Sequence, residues 1–273
     1  MALNLKTLGT RSISAIVFVV VLVGCLLWNY YSFTIFFLLV AMLGLNEFYK
    51  LAANLRFKPF KAIGFISGLL CYLAFTNDFF WLQPVLALLP FLIFTQALFS
   101  KEEHPIENAL FTMGGIAYAV LPFALLQDLV QFKDDVTGIS TFVPEVLLGV
   151  ILLIWSNDTF AYLGGSLFGK HKMSPRISPG KTWEGTIFGI IMTFGLSFLL
   201  KRYFNNDLFN VWLMLGALVP VLATIGDLVE SMLKRQADVK DSGNIMPGHG
   251  GILDRFDSLI VVSPFVYVLL KLL

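Results

Sequence analysis

Charge is what this sequence has least of. Only 14% of its 273 residues are Asp, Glu, Lys or Arg, against about 25% in an ordinary soluble domain. That shortage, spread over the whole length, excludes a soluble globular chain, a disordered one and an acidic or basic nucleic-acid binder. The 19 Lys and Arg nearly cancel the 18 Asp and Glu, so net charge points to no polyanionic partner. Cysteine is scarce as well: Cys25 and Cys71 both fall in apolar runs, which excludes a disulfide framework and a cysteine metal site. A soluble domain, a low-complexity linker and an internal repeat are also missing. Lys6 and Arg11 precede an apolar stretch from Ile13 to Leu27, but no small-residue cleavage site follows. Leu22-Val23-Gly24-Cys25 has the look of a lipoprotein box, yet Leu26-Leu27-Trp28 continues apolar, so the stretch is expected to remain as a membrane span.

What is present is hydrocarbon. Hydrophobic residues make up 57% of the chain, 27 of them Phe, and the mean hydropathy is +0.80. A bilayer core takes about 20 apolar residues per helix. On that ruler the sequence predicts an all-α, polytopic integral membrane helix bundle of about nine transmembrane helices, near 12–28, 32–50, 61–80, 82–99, 107–127, 143–163, 183–203, 208–228 and 252–272. Residues 1–273 read as a single membrane domain, with N-terminal helices of the bundle over 1–140 and catalytic helices and cytoplasmic loops over 141–273. A cytoplasmic N-terminus places 15 of the 19 Lys and Arg on that side and leaves Lys133, Lys201, Arg202 and Lys271 on the other, as the positive-inside rule requires.

With that topology the few carboxylates converge. The sixth span ends near Asp158, the eighth near Asp227, and the ninth starts from Asp254-Arg255-Phe256-Asp257; Glu47 and Glu184 fall on the same side. Ionisable groups at the edge of hydrocarbon are costly unless paired, hydrated or bound to an ion, although any one of them alone could be an interfacial residue wetted by headgroups. Asp254 and Asp257 are spaced i, i+3, and Asp227 and Ser231 i, i+4, so each pair shares a helix face. Carboxylates and a hydroxyl at helix ends are hard oxygen ligands of the kind Mg²⁺ takes alongside substrate phosphates. Glu230 and Lys234 read as a structural helix pair.

Two basic, glycine-rich loops complete the pattern: Gly164 to Gly185, with Lys170, Lys172, Arg176, Ser178 and Lys181, and Lys234 to Gly251, with Arg235, Lys240, His249 and Gly250. Glycine lets backbone N–H groups approach an anion, and the second loop feeds the N-terminus of the last helix, where the dipole favours negative charge. Gly180-Lys181-Thr182 ends like a phosphate-binding P-loop, but the upstream glycine is absent. His249, set between glycines, reads equally well as a turn residue.

At these residues the sequence resembles the phosphatidate cytidylyltransferase family, the CDP-diacylglycerol synthases. The resemblance rests on Ser231-Met232-Leu233-Lys234-Arg235, Lys240-Asp241, and Pro247-Gly248-His249-Gly250-Gly251-Ile252-Leu253-Asp254-Arg255-Phe256-Asp257, with Asn157-Asp158-Thr159-Phe160-Ala161-Tyr162 and Ser178 to Gly185 upstream. It implies transfer of CMP from CTP to phosphatidate, giving CDP-diacylglycerol and pyrophosphate in phospholipid biosynthesis, with Mg²⁺ as cofactor and the number of cations left open. By the same resemblance Asp227 and Asp254 are the main metal ligands, Ser231 an additional one, and Asp158 and Asp257 weaker candidates. Lys234, Arg235, His249, Gly250 and Gly251 would hold phosphates, and Ser178 with Lys181 would close over the nucleotide or lipid phosphate. The expected setting is a bacterial inner membrane with the site facing the cytoplasm; the partners are CTP, phosphatidate and bilayer, no nucleic acid, with a homodimer left open. Three rivals fit less well, the first a purely structural or assembly membrane protein, which leaves the constellation from Lys234-Arg235 to Asp257 unexplained. A secondary transporter calls for midplane sites and repeated halves, and a CDP-alcohol phosphotransferase calls for an Asp-Gly-x-x-Ala-Arg opening that is absent.

Overall fold

The computed structural model describes residues 5–133, 140–204, 209–245 and 250–273. It is 78% helical, with two small antiparallel ribbons, β1 (Gln131–Lys133) with β2 (Ser140–Phe142) and β3 (Lys172–Ser174) with β4 (Ser178–Thr182). Among the described residues six helical stretches are long and apolar enough to cross a membrane: Tyr30–Asn54, Phe80–Leu98, Pro105–Leu129, Glu145–Phe168, Trp183–Phe204 and Val211–Gln236; Ile13–Trp28 and Lys61–Leu73 are apolar but shorter. The class is therefore that of an all-α membrane protein. The chain forms two compact units interleaved in sequence, residues 1–142 with 233–256 and residues 143–232 with 257–273.

The first unit holds α1 (Leu5–Trp28), α2 (Tyr30–Asn54), α3 (Lys61–Leu73), a 3₁₀ segment Phe80–Leu88, α4 (Leu89–Leu98), α5 (Pro105–Ala119) and α6 (Leu121–Leu129). A single residue separates α1 from α2. Asn29 is extended, its side chain accepts from Ser32 N–H at 2.8 Å, and Ser32 Oγ accepts from Asn29 N–H at 3.2 Å, a reciprocal capping box. The expected span over 61–80 stops early because Thr76 Oγ1 donates back to Leu73 O at 2.7 Å and Asn77 N–H donates to the Tyr30 hydroxyl at 3.2 Å. The expected span over 107–127 is parted into α5 and α6 where Pro122 supplies no N–H. The surface is apolar where that of a soluble protein would be polar, with Ile13 (65% exposed) and Val20 (64%) facing outward, and polar groups buried within the apolar interior are joined. Thr34 Oγ1 donates to Gln127 Oε1 (2.8 Å), Gln127 Nε2 to Tyr72 Oη (2.5 Å) and Tyr72 Oη to Thr34 O (2.8 Å), a closed set that leaves no orphan in hydrocarbon. Phe18, Phe37, Phe123 and Phe256 form the aromatic centre, with centroids 5.5–6.2 Å apart.

The second unit holds α7 (Glu145–Phe168), α8 (Trp183–Phe204), most of α9 (Phe209–Gln236) and the body of α10 (Leu253–Leu272), together with β3 and β4. Among the described residues α7 and α8 pair extensively. A Cβ at Gly185 would lie 2.6 Å from Ala161 O and 2.8 Å from Gly165 Cα, so the two backbones touch as small residues allow. Both α7 and α9 run past the ends expected for them near 163 and 228. No Gly or Pro interrupts Leu228–Gln236, and α7 stops only at Gly169. Asp158 and Asp227 consequently lie inside helices rather than at their tips.

Candidate active site

In the second unit the loop after α7 is an ordered ribbon. β3 and β4 pair with a bulge between Lys172 and Ser174, and Glu184, in the first turn of α8, closes the base. Its carboxylate accepts from the N–H of Lys170 (3.0 Å) and of His171 (3.2 Å) and meets His171 Nδ1 at 2.6 Å. Trp183 N–H donates to His171 O at 3.0 Å. Held in this way, β4 delivers Lys181 to α9, where its Nζ lies 2.7 Å from Asp227 Oδ2. One turn further along, Ser231 Oγ donates to Asp227 Oδ1 at 3.1 Å, the i, i+4 pairing expected from sequence.

These groups border a cavity of about 440 Å³ whose lining includes Asp158, Ser178, Lys181, Thr224 and Asp227, within the usual range of about 300–1,000 Å³ for small-molecule sites. Lys181 and Asp227 keep 24% and 34% of their side chains accessible, so the pair faces the cavity instead of being sealed in packing. Asp257 approaches from α10. A Cβ at Gly226 would lie 2.6 Å from Asp257 O, and this closeness brings Asp257 within electrostatic reach of Asp227 and Asp158. Asn157 also lines the cavity, 2% exposed, with Nδ2 3.5 Å from Thr224 Oγ1; it opens the family-like segment Asn157 to Tyr162, but the sequence assigns it no role.

Of the remaining candidates, Lys234, Gly250, Gly251 and Asp254 form a second cluster, in the first unit. Lys234 Nζ lies 2.5 Å from Asp254 Oδ1, with side chains only 12% and 6% exposed. Asp254 Oδ2 accepts from Ser242 N–H (2.8 Å), Ser242 Oγ (2.9 Å) and Gly251 N–H (2.8 Å). Gly250 has φ +82°, a conformation that glycine adopts freely, and a Cβ there would lie 2.6 Å from Asp254 Oδ2. The N-terminal amides of α10 meet a carboxylate supplied by the chain itself: Glu47 of α2, fully buried, accepts from Ile252 N–H (3.0 Å) and Leu253 N–H (2.9 Å) and shares the Ser242 hydroxyl proton (2.9 Å) with Asp254. The amide of Gly251, expected to meet phosphate, is engaged by Asp254. Arg235 stands at the surface with its guanidinium donating to Val239 O at 3.2 Å. His249 lies outside the described residues.

Among the described residues no three His, Cys, Asp or Glu side chains converge as a ready-made metal cage. Mg²⁺ rarely uses one: it keeps waters and takes one or two carboxylates plus substrate phosphates. Asp158 and Asp227 on the cavity wall, with the Ser231 hydroxyl on Asp227, are a donor set of that kind.

Residues 9–273 match the model of the cytidylyltransferase family. The chain belongs to that family. It is 34% identical over 269 residues, 95% of its length and 98% of the other's, to the phosphatidate cytidylyltransferase of Staphylococcus aureus (strain COL), and 33% identical over the same span to that of Staphylococcus epidermidis (strain ATCC 12228). Over 125 residues, 44% of this chain and 43% of the relative, it is 46% identical to the phosphatidate cytidylyltransferase of Haemophilus influenzae. This family member is a CTP-using nucleotidyltransferase, a membrane transferase of phospholipid biosynthesis. The polar cavity lined by Lys181, Asp158 and Asp227 is thereby a candidate place for a nucleoside triphosphate.

Proposed function

We propose that this enzyme transfers CMP from CTP to phosphatidate, releasing pyrophosphate and forming CDP-diacylglycerol, and that the cavity between α7, β4 and α9 is where the phosphates meet. The observation that carries the reading is the Lys181–Asp227 pair at 2.7 Å on the wall of a polar cavity in a chain otherwise so poor in charge. The attacking group, a phosphate monoester with a second pKa of about 6, is already anionic near neutral pH and needs no strong general base. Catalysis is then alignment and relief of repulsion between two anions. Mg²⁺ held by Asp227 and Asp158 would supply countercharge to the triphosphate and its leaving pyrophosphate. Asp227 orients the Lys181 ammonium toward the cavity, and Ser178, on the same strand, offers a hydroxyl to a phosphoryl oxygen. Ser231 fixes the Asp227 carboxylate from behind. Lys234, paired with Asp254 in the other unit, keeps the phosphate role that the family resemblance gives it.

Purified protein given CTP, Mg²⁺ and phosphatidate in mixed micelles should release pyrophosphate and form a CDP-lipid in equal amounts, with UTP a poor replacement. Pyrophosphate without a CDP-lipid, or a product formed equally well from a lipid that lacks the phosphate, would remove phosphatidate as acceptor.

The nine-span topology with a cytoplasmic N-terminus belongs to the same proposal, supported by the 15 of 19 cations that it places on one side. Single cysteines at Lys58 and at Asp78, both exposed and on either side of α3, should react with an impermeant thiol reagent from opposite faces of sealed vesicles. Labelling of both from one face would remove α3 as a span.

A further inference from the structure

Glu47 belongs to none of the roles assigned so far. It sits at the far end of the sequence from the second loop, deep in α2, yet it makes three hydrogen bonds to that loop and to the start of α10. A buried carboxylate is stable only when its oxygens are satisfied; here two of the donors are the unpaired first amides of a helix, the most favourable partners a backbone offers. The loop is shaped around it. A Cβ at Gly243 would collide with Glu47 Oε1, and one at Gly251 with Oε2. The third donor, Ser242 Oγ, lies 2.9 Å both from Glu47 Oε2 and from Asp254 Oδ2, so its single proton is shared between the buried carboxylate and the one that holds Lys234.

We propose that Glu47 is a positioning residue of the reaction: by capping α10 and gripping Ser242, it sets the place of Asp254 and through it of the Lys234 ammonium. This rests on the reading that Asp254 and Lys234 serve the phosphates. Glu47 itself touches no reacting group. Outer partners of this kind are worth about 10–100-fold in activity when removed, because a cation displaced by about an ångström no longer meets the charge it should neutralise.

The discriminating variant is Glu47→Gln in the full-length enzyme. Gln fills the same space, but an amide offers one oxygen where two are used and sets an NH₂ against Ile252 N–H, Leu253 N–H or Ser242 O–H. It should lower kcat about 10–100-fold with little change in the KM for CTP, and hydrogen exchange at the Ile252 and Leu253 amides should speed up. Ser242→Ala, which keeps the cap and removes only the bridge, should lower kcat without speeding that exchange. Gly243→Ala, pressing on Glu47 from the loop, should reproduce the Gln phenotype, and Glu47→Asp should recover part of the rate. Wild-type kcat for Glu47→Gln beside an impaired Asp254→Asn would overturn the positioning role alone. Loss of folded protein for Gln, Asp and Gly243→Ala alike, with Ser242→Ala fully active, would reduce Glu47 to a structural cap. An unmodified enzyme making no CDP-lipid would sink the functional reading instead, and unchanged Ile252 and Leu253 exchange in Glu47→Gln would still refute the positioning claim by itself.

Discussion

Asp227→Asn should lower kcat/KM about 10²–10³-fold while leaving the protein folded, a loss of the size seen when a preorganised charge is removed from a transition state. The side chain is 34% exposed and the amide keeps its shape and can still accept from Ser231, so α9 has no reason to unwind. What goes is the negative charge that aims Lys181 and, in the proposed reaction, shares in holding Mg²⁺. If Asp227 and Lys181 act as one unit, Lys181→Ala should be similarly impaired and the double variant little worse than either single one. Initial rates against CTP at several Mg²⁺ concentrations, with size-exclusion profiles as the folding control, measure this. Near-normal rates for Asp227→Asn at saturating Mg²⁺ would take Asp227 out of the site. Lys58→Ala is the contrast: its pair with Glu102, 2.7 Å long but 70% and 42% exposed, is held in water and should matter little to either rate or fold.

The second large effect is expected at Lys234 and Asp254, and it should appear in stability as well as rate. This pair is buried, with side chains 12% and 6% exposed, and removal of one member of such a pair typically costs about 3–5 kcal/mol because the other is left as an uncompensated charge. Asp254→Asn should be the worse substitution. It leaves the Lys234 ammonium without its carboxylate and turns an amide NH₂ or a weaker acceptor toward Ser242 N–H, Ser242 Oγ and Gly251 N–H. The Lys234→Met, Asp254→Asn double variant should recover much of the thermal stability, since no charge is then stranded, and should recover none of the CMP transfer. Recovery of activity along with stability would show the pair to be structural only. A melting curve in detergent and a turnover assay on the same preparations separate the two.

The chemistry was easier to read from sequence than its wiring. Asp158 and Asp227 stand out because ionisable residues at the edge of hydrocarbon must be accounted for, Lys181 because it lies in a basic, glycine-rich loop, and the Asp227–Ser231 spacing follows from helical geometry alone. Helix ends were less legible. α7 and α9 continue past their carboxylates because nothing stops them locally, and hydropathy registers where lipid begins, not where a helix ends. α3 stops early for the opposite reason, a threonine hydroxyl and a tyrosine 46 residues upstream of Thr76 that take over its last turn. The β3–β4 ribbon hides in a stretch rich in Gly, Pro and Lys, whose composition says only that it is not a helix. Glu47 is the clearest case. At the end of an apolar run a carboxylate looks like a residue wetted by headgroups, and no local pattern says which distant helix start it caps. Nor does a glycine-rich composition say what each amide of the second loop meets: Gly251 turns its amide to Asp254 and, with Gly243, leaves room for Glu47.

The separation of Glu47 from its partners has a consequence for biogenesis. Ser242 follows it by 195 residues, and Ile252 and Leu253 by 205 and 206; at a ribosomal pace of about 5–20 residues per second the wait is on the order of 10–40 s. Throughout that interval α2 is already made, and its carboxylate has neither of the amides nor the hydroxyl that will satisfy it. A nascent α2 must therefore keep Glu47 at the wet edge of the bilayer, or be sheltered by the insertion machinery, until the last quarter of the chain emerges. The seating of that carboxylate is then the step at which the earliest helices and the last loop become one folded unit.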